Sequence, residues 1–142
     1  MTKPRSTYPA PSASLRKALL ADGVGCGIFS IGALVVLVGP AELRAQLDVY
    51  PPLLVAAGSL ALLGVALFPR MARRRRVSPT SIVLVIATNA GWAVACCAAV
   101  VLDWAQPSPG GAIVIVAQAL ATGLIAMLEW LGLQRTLAAA RT

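Results

Sequence analysis

Histidine is absent from all 142 residues. That excludes an imidazole-held haem, a histidine-liganded chlorophyll and a histidine-based zinc site. Acidic residues are scarce too: Asp22, Glu42, Asp48, Asp103 and Glu129 are the whole set, and their scatter makes no acidic metal cluster. Cysteine is limited to Cys26, Cys96 and Cys97, each inside an apolar stretch, with none of the spacing of a secreted disulfide framework. Counted along helices, Cys26 falls about 12 Å from one membrane face and the other two near 24 Å, so they do not converge on one ion. They read as small packing residues. With no nucleophile–base pair and no phosphate loop, neither enzyme activity nor a cofactor is expected.

What fills the sequence is apolar. A hydrophobic fraction of 58% against 12% charged residues, with a mean hydropathy of +0.82, is more than a soluble fold of this length can hide from water. Lipid removes that difficulty. Four runs, 18–38, 53–68, 80–102 and 111–133, each suit a membrane-crossing helix, the second being the shortest at about 24 Å. Unbroken stretches such as Ile82–Ala87 and Ile113–Ala117 lack the alternation of lipid-facing barrel strands. The expected fold is therefore all-α, four transmembrane helices in a bundle over 15–142, after a flexible, Pro-rich tail at 1–14. Pro69 closes the second span in this reading. Ser78-Pro79 opens the third as N-cap and first helical residue. Tyr50 and Trp104 mark interfaces, and Gly39 to Pro52 is a loop. The first run exceeds a signal-peptide core, and Gly39-Pro40 before Glu42 is a poor cleavage site, so it reads as a retained span.

Charge sets the orientation. Of 12 basic residues, 11 fall in the N-terminal segment, the second loop or the C-terminus; the first and third loops hold Arg44 and three acids. Positive charge stays on the cytoplasmic side, so both ends are expected there. Arg70, Arg73, Arg74, Arg75 and Arg76 are placed to meet anionic headgroups, at about 1 kcal/mol per basic residue near the surface. Without an aromatic or glycine platform, the run does not point to nucleic acid.

Polar residues within the spans are the functional candidates. Asp22 and Glu129 each lie about four residues inside the apolar boundary, roughly 6 Å deep. One reading pairs them with Arg16, Lys17 or Arg135 to fix helix ends; the other makes them proton-binding groups, because two carboxylates at one level tend to share a proton. Gln118, Thr122 and Glu129 recur at i, i+4 and i+11, one stripe facing the interior. Asn89 and Trp92 fall about 14 and 18 Å deep on the third span, and Gln118 comes to a similar level, so these three can form a network. Such bonds average about 0.6 kcal/mol in membranes and serve as glue as readily as a site. Gly23 and Gly27, with Gly58 and Gly64, permit close helix approach, within the chain or between copies.

Asp22, Asn89-Ala-Gly-Trp92, Gln118 and Glu129-Trp-Leu-Gly-Leu-Gln-Arg135, taken in order, resemble a group of small four-helix bacterial integral membrane proteins without assigned activity. The resemblance spans roughly 15–136 and implies a four-span protein of the bacterial inner membrane. In size and span number the chain also resembles the small multidrug transporters, but its first-span carboxylate is shallow and no aromatic cage is evident. The abundance of small residues and the shallow acids favour a non-enzymatic accessory or scaffold subunit of a homo-oligomer or larger membrane complex. The alternatives are a small proton-linked transporter or permease, and a lipid- or pigment-binding protein with its groove beside Trp92.

Overall fold

A computed structural model describes residues 8–47, 51–102 and 108–141. Among them are five helices and no strand: α1 (Ala13–Val38), α2 (Ala41–Leu47), α3 (Pro51–Arg73), α4 (Pro79–Val101) and α5 (Pro109–Ala139). By length and composition α1, α3, α4 and α5 can each cross a membrane, as expected of a multi-pass membrane protein. Asp48, Tyr50, Asp103 and Trp104 lie outside the described residues, as do residues 1–7 of the expected tail. Ser78 and Pro79 stand where the sequence puts them, as N-cap and first residue of α4.

The helices outrun the apolar segments at the end where the N-terminal segment, the α3–α4 loop and the C-terminus meet. We call this the basic end. Residues 8–14, expected in the flexible tail, are built into it. The Val77 N–H donates to the Pro9 carbonyl (3.2 Å), and Pro11 is buried. Ser12 caps α1, its Oγ accepting from the Leu15 N–H (3.2 Å). The Ser12 N–H donates to Thr136 Oγ1 (2.9 Å) and its hydroxyl to the Gly132 carbonyl (2.9 Å), tying the start of α1 to the last turns of α5. The reason is that an N-cap serine satisfies a helix start without any apolar character, so the helix begins before the hydrophobic run does.

Pro69 does not close α3, which continues to Arg73. Its ring is accommodated because Gly23 of α1 faces it: a Cβ at Gly23 would meet Pro69 Cδ at 3.1 Å. The segment after α1, expected as a loop, contains α2, and Arg44 at its last turn donates from Nη1 to the Leu37 carbonyl (2.6 Å). Arg44 thereby caps an exposed α1 carbonyl, which a cation at a helix C-terminus does well.

Small residues make the α1–α3 seam. Gly27 lies against Val65, Gly58 against Ala33 and Gly64 against Cys26, while Ser30 Oγ donates to the Cys26 carbonyl (2.8 Å) and approaches the Gly58 carbonyl (3.3 Å). Gly23, Gly27, Gly58 and Gly64 are thus spent on packing within the chain, whereas Gly32 faces nothing within 4 Å. The closest approach is between α5 and α1, where a Cβ on Gly132 would sit 2.7 Å from Leu15 Cα. Without a hydrophobic drive between helices in lipid, such backbone proximity is what holds them.

Contacts run α3 to α1, α1 to α5 and α5 to α4, with no close approach of the α3 and α4 backbones among the described residues. The four long helices form an open arc. At the basic end a compact cluster of Leu15, Leu19, Ala72, Val77, Ile82 and Leu133 closes it, with Met71 of α3 and Ile86 of α4 packed against it. Elsewhere the outer faces are exposed and apolar, as at Ile31, Leu62, Val83 and Leu120. In water such surface is a liability; in lipid it is the expected exterior.

Candidate functional site

Above the basic-end cluster, three polar side chains from three helices meet. Asn89 of α4 uses one amide nitrogen for two acceptors: Nδ2 donates to Asp22 Oδ2 of α1 at 2.8 Å and to Glu129 Oε2 of α5 at 3.2 Å. Because both carboxylates accept, the amide must present its NH₂ group, which has one hydrogen for each. The two acceptor oxygens lie no further apart than these bonds laid end to end, about 6 Å. All three residues are buried, with exposures of 4% for Asp22, 8% for Asn89 and 0% for Glu129. The Cys26 thiol makes a long contact to Asp22 Oδ1 (3.8 Å), and Glu129 Oε1 has no hydrogen-bond partner.

Helix extension explains how the acids come level with Asn89. Asp22 is nine residues into α1, Asn89 ten into α4, and Glu129 ten before the end of α5. At 1.5 Å per residue each sits about 14–15 Å from its helix end. The three therefore share one level, which the unequal depths of roughly 6 and 14 Å read from the apolar runs did not give. Nor do Arg16, Lys17 or Arg135 supply the hydrogen bonds to these carboxylates; Arg16 Nε reaches only the Pro11 carbonyl (3.4 Å), while Lys17 and Arg135 are exposed.

From this triad a cleft of about 730 Å³ rises between the arms of the arc, lined by all four long helices. Asp22, Cys26 and Asn89 stand at its foot; Phe29 and Phe68, with Trp92, supply aromatic walls, and Gln118 and Thr122 line the far part. Most of the remaining lining is aliphatic. The volume is that of a site for a drug-sized molecule.

The proposed network of Asn89, Trp92 and Gln118 does not form. Asn89 turns its amide to the carboxylates, and Trp92 Nε1 is buried without a partner. Gln118 is also too far along: Gly123 faces Ala93 (3.8 Å), a register that sets Gln118 near residue 98, about 9 Å beyond Trp92. The stripe of Gln118, Thr122 and Glu129 does face inward, but only Glu129 joins the triad. Cys26 was read as packing only; its place one turn after Asp22 was the available signal for its contact with that carboxylate.

Arg73, Arg74, Arg75 and Arg76 are exposed at the basic end, as is Arg70, whose Nη1 folds back onto the Ala66 carbonyl (2.9 Å). Among the described residues no group of three or more Cys, Asp and Glu side chains is arranged to hold a metal ion. Comparison of the chain with models of known protein families, with curated proteins and with solved structures finds no match.

Proposed function

We propose that the protein is a small proton-linked permease in which Asp22 and Glu129, bridged by Asn89, bind the proton and the apolar cleft above them binds the solute. The observation that carries this reading is the sharing of one amide donor by two buried carboxyls at the foot of the cleft. Two full negative charges no more than about 6 Å apart repel by at least about 3 kcal/mol at an effective dielectric constant of 20. Taking up a proton relieves that repulsion, and so does binding a cation; the two events then compete for one site. Leu19, Ile82 and Leu133 lie in the cluster at the basic end and keep water from that side, so the open cleft is the route by which the triad is reached.

In this reading the basic end faces the cytoplasm, because 11 of the 12 basic residues of the sequence belong to the N-terminal segment, the second loop or the C-terminus, and the exposed arginines rest on anionic headgroups of the inner membrane. The test is solute-driven proton movement into sealed vesicles containing the purified protein and a trapped pH indicator. Wild type moves protons with its solute, and Glu129→Gln, folded by size-exclusion profile, does not. If proton movement in the variant equals that of wild type for every solute that works, the reading is lost. An accessory subunit remains the second reading, supported by the open side between α3 and α4, which has room for another chain's helix. Native mass spectrometry in mild detergent separates them: that reading needs a stoichiometric partner, and the permease does not.

A further inference from the structure

We infer that the gap between α3 and α4 holds one anionic phospholipid, its phosphate against Arg70 and the loop arginines and one acyl chain laid into the cleft. The inference goes beyond the permease reading and does not rest on it. The gap is a wall that the fold leaves out: α3 packs on α1, α1 on α5 and α5 on α4, whereas α3 and α4 make no close backbone approach among the described residues. Both lips of the gap are apolar. Leu60, Leu63 and Leu67 of α3 and Leu84 of α4 line the cleft, yet each is more than half exposed. Over two turns of α3 that combination means that the cleft opens sideways, toward hydrocarbon. The basic-end cluster of Leu19, Ile82 and Leu133 lies across its foot, so a chain enters from the side.

Charge selects the headgroup. Arg73 ends α3 and Pro79 begins α4, so the loop between them bridges the two lips and sets its arginines at the end of the gap. Arg70 stands on the same face as the lip: Leu60, Leu63, Leu67 and Arg70 recur at i, i+3, i+7 and i+10. Arg70, Arg73, Arg74 and Arg75 are all exposed, and neither α3, α4 nor the loop between them contains an acid. Guanidinium groups bind phosphate through paired N–H donors, so an anionic phosphodiester is the headgroup that fits. Length selects the chain. The α3 residues that line the cleft run from Ala57 to Phe68, about 16 Å at 1.5 Å per residue. That is about half of a hydrocarbon core of roughly 30 Å, the depth of one leaflet. Phe68 is two residues from Arg70, so a lipid held there by its phosphate lays one chain along the whole cleft. Its second chain stays among the surrounding lipid.

The experiment uses the full chain in phosphatidylcholine vesicles, with Trp104→Phe and Trp130→Phe, so that Trp92 in the cleft wall is the sole fluorophore. Bromine on an acyl chain quenches an indole that it touches. As a minor component of the vesicle, phosphatidylglycerol with brominated chains quenches Trp92 with about tenfold preference over brominated phosphatidylcholine. Arg70→Gln, a change at an exposed position, lowers that preference about fivefold. Leu63→Phe with Leu84→Phe narrows the gap at unchanged charge and abolishes the excess quenching. A second reporter separates a held chain from lipid gathered around a basic surface: Leu62→Trp, outside the cleft, in a chain that also carries Trp92→Phe, shows little preference. Four results overturn the inference. Equal preference at both reporters means that the arginines only enrich the surrounding lipid. No quenching of Trp92 by either lipid means that no chain enters the cleft. Loss of the excess quenching to equimolar glycerol phosphate means that the arginines bind phosphate without a chain. A dimer free of lipid in native mass spectrometry gives the gap to a second copy. The permease reading, tested through Glu129→Gln, survives any of these.

Discussion

Replacing Asn89 removes one donor from two carboxyls at once, and its effect can be worked from the bonds it makes. Interhelical hydrogen bonds in membranes average about 0.6 kcal/mol and reach about 1.7. Two of them, at 2.8 and 3.2 Å, put the loss for Asn89→Ala at about 1–3 kcal/mol. Asp22 is left with the 3.8 Å thiol contact and with its side-chain hydrogen bond to Glu129. Asn89→Asp should be worse than Asn89→Ala, because it adds a third acidic group where a donor stood. The assay is reversible unfolding in mixed micelles with increasing sodium dodecyl sulfate, followed by circular dichroism. A double-mutant cycle isolates the contact: Asn89→Ala combined with Glu129→Ala should show a coupling of about 0.5–1.5 kcal/mol. Coupling below about 0.3 kcal/mol, the usual non-additivity of independent sites, would refute the bridge.

Gly132→Ala places a Cβ 2.7 Å from Leu15 Cα, so α1 and α5 must separate, and we expect a loss of about 2 kcal/mol or more in the same unfolding assay. Gly32→Ala, with nothing within 4 Å, is the control and should be neutral or up to about 1 kcal/mol stabilising. Thr136→Val deletes the acceptor of the Ser12 N–H and should cost about 1 kcal/mol. Hydrogen exchange should then quicken first at residues 12–16, and uniform exchange across α1 would count against the strap. In a chain whose sole cysteine is Cys26, a cationic thiol reagent should react about three- to tenfold faster than an anionic one of equal size, owing to the carboxyls beside it. Equal rates would mean that no negative charge is felt at the foot of the cleft.

The four spans were legible because apolar length and charge placement are properties of the chain alone. Helix ends were less so. Ser78-Pro79 was readable as a start, whereas Ser12 caps α1 six residues before its apolar run begins. Pro69 looked like a stop because its ring and missing N–H disfavour a helix interior. Its ring packs closely against Gly23 of another helix, and that contact is tertiary information. The same limit hid the triad. Periodicity placed Glu129 on the inner face of α5, yet no pattern within one helix says which residue of α1 or α4 stands opposite. That register comes from backbone contact at Gly132 and Leu15, and from Gly123 against Ala93.

The triad also bears on the choice between glue and site. A packing role needs one donor and one acceptor between helices, and an Asn–Gln pair would supply it without charge. Here two acids, from α1 and α5, draw on one amide, and one of their oxygens has no partner in the buried interior. If both were ionised, repulsion of at least about 3 kcal/mol at no more than about 6 Å would exceed the gain from either bond. As glue, the arrangement is poorer than its own simplest replacement. One proton shared between the acids removes that repulsion, and under the proposed permease reading it is this proton that the pair takes up in one state and gives up in the next. The cleft opening above Asp22 supplies the path for that exchange.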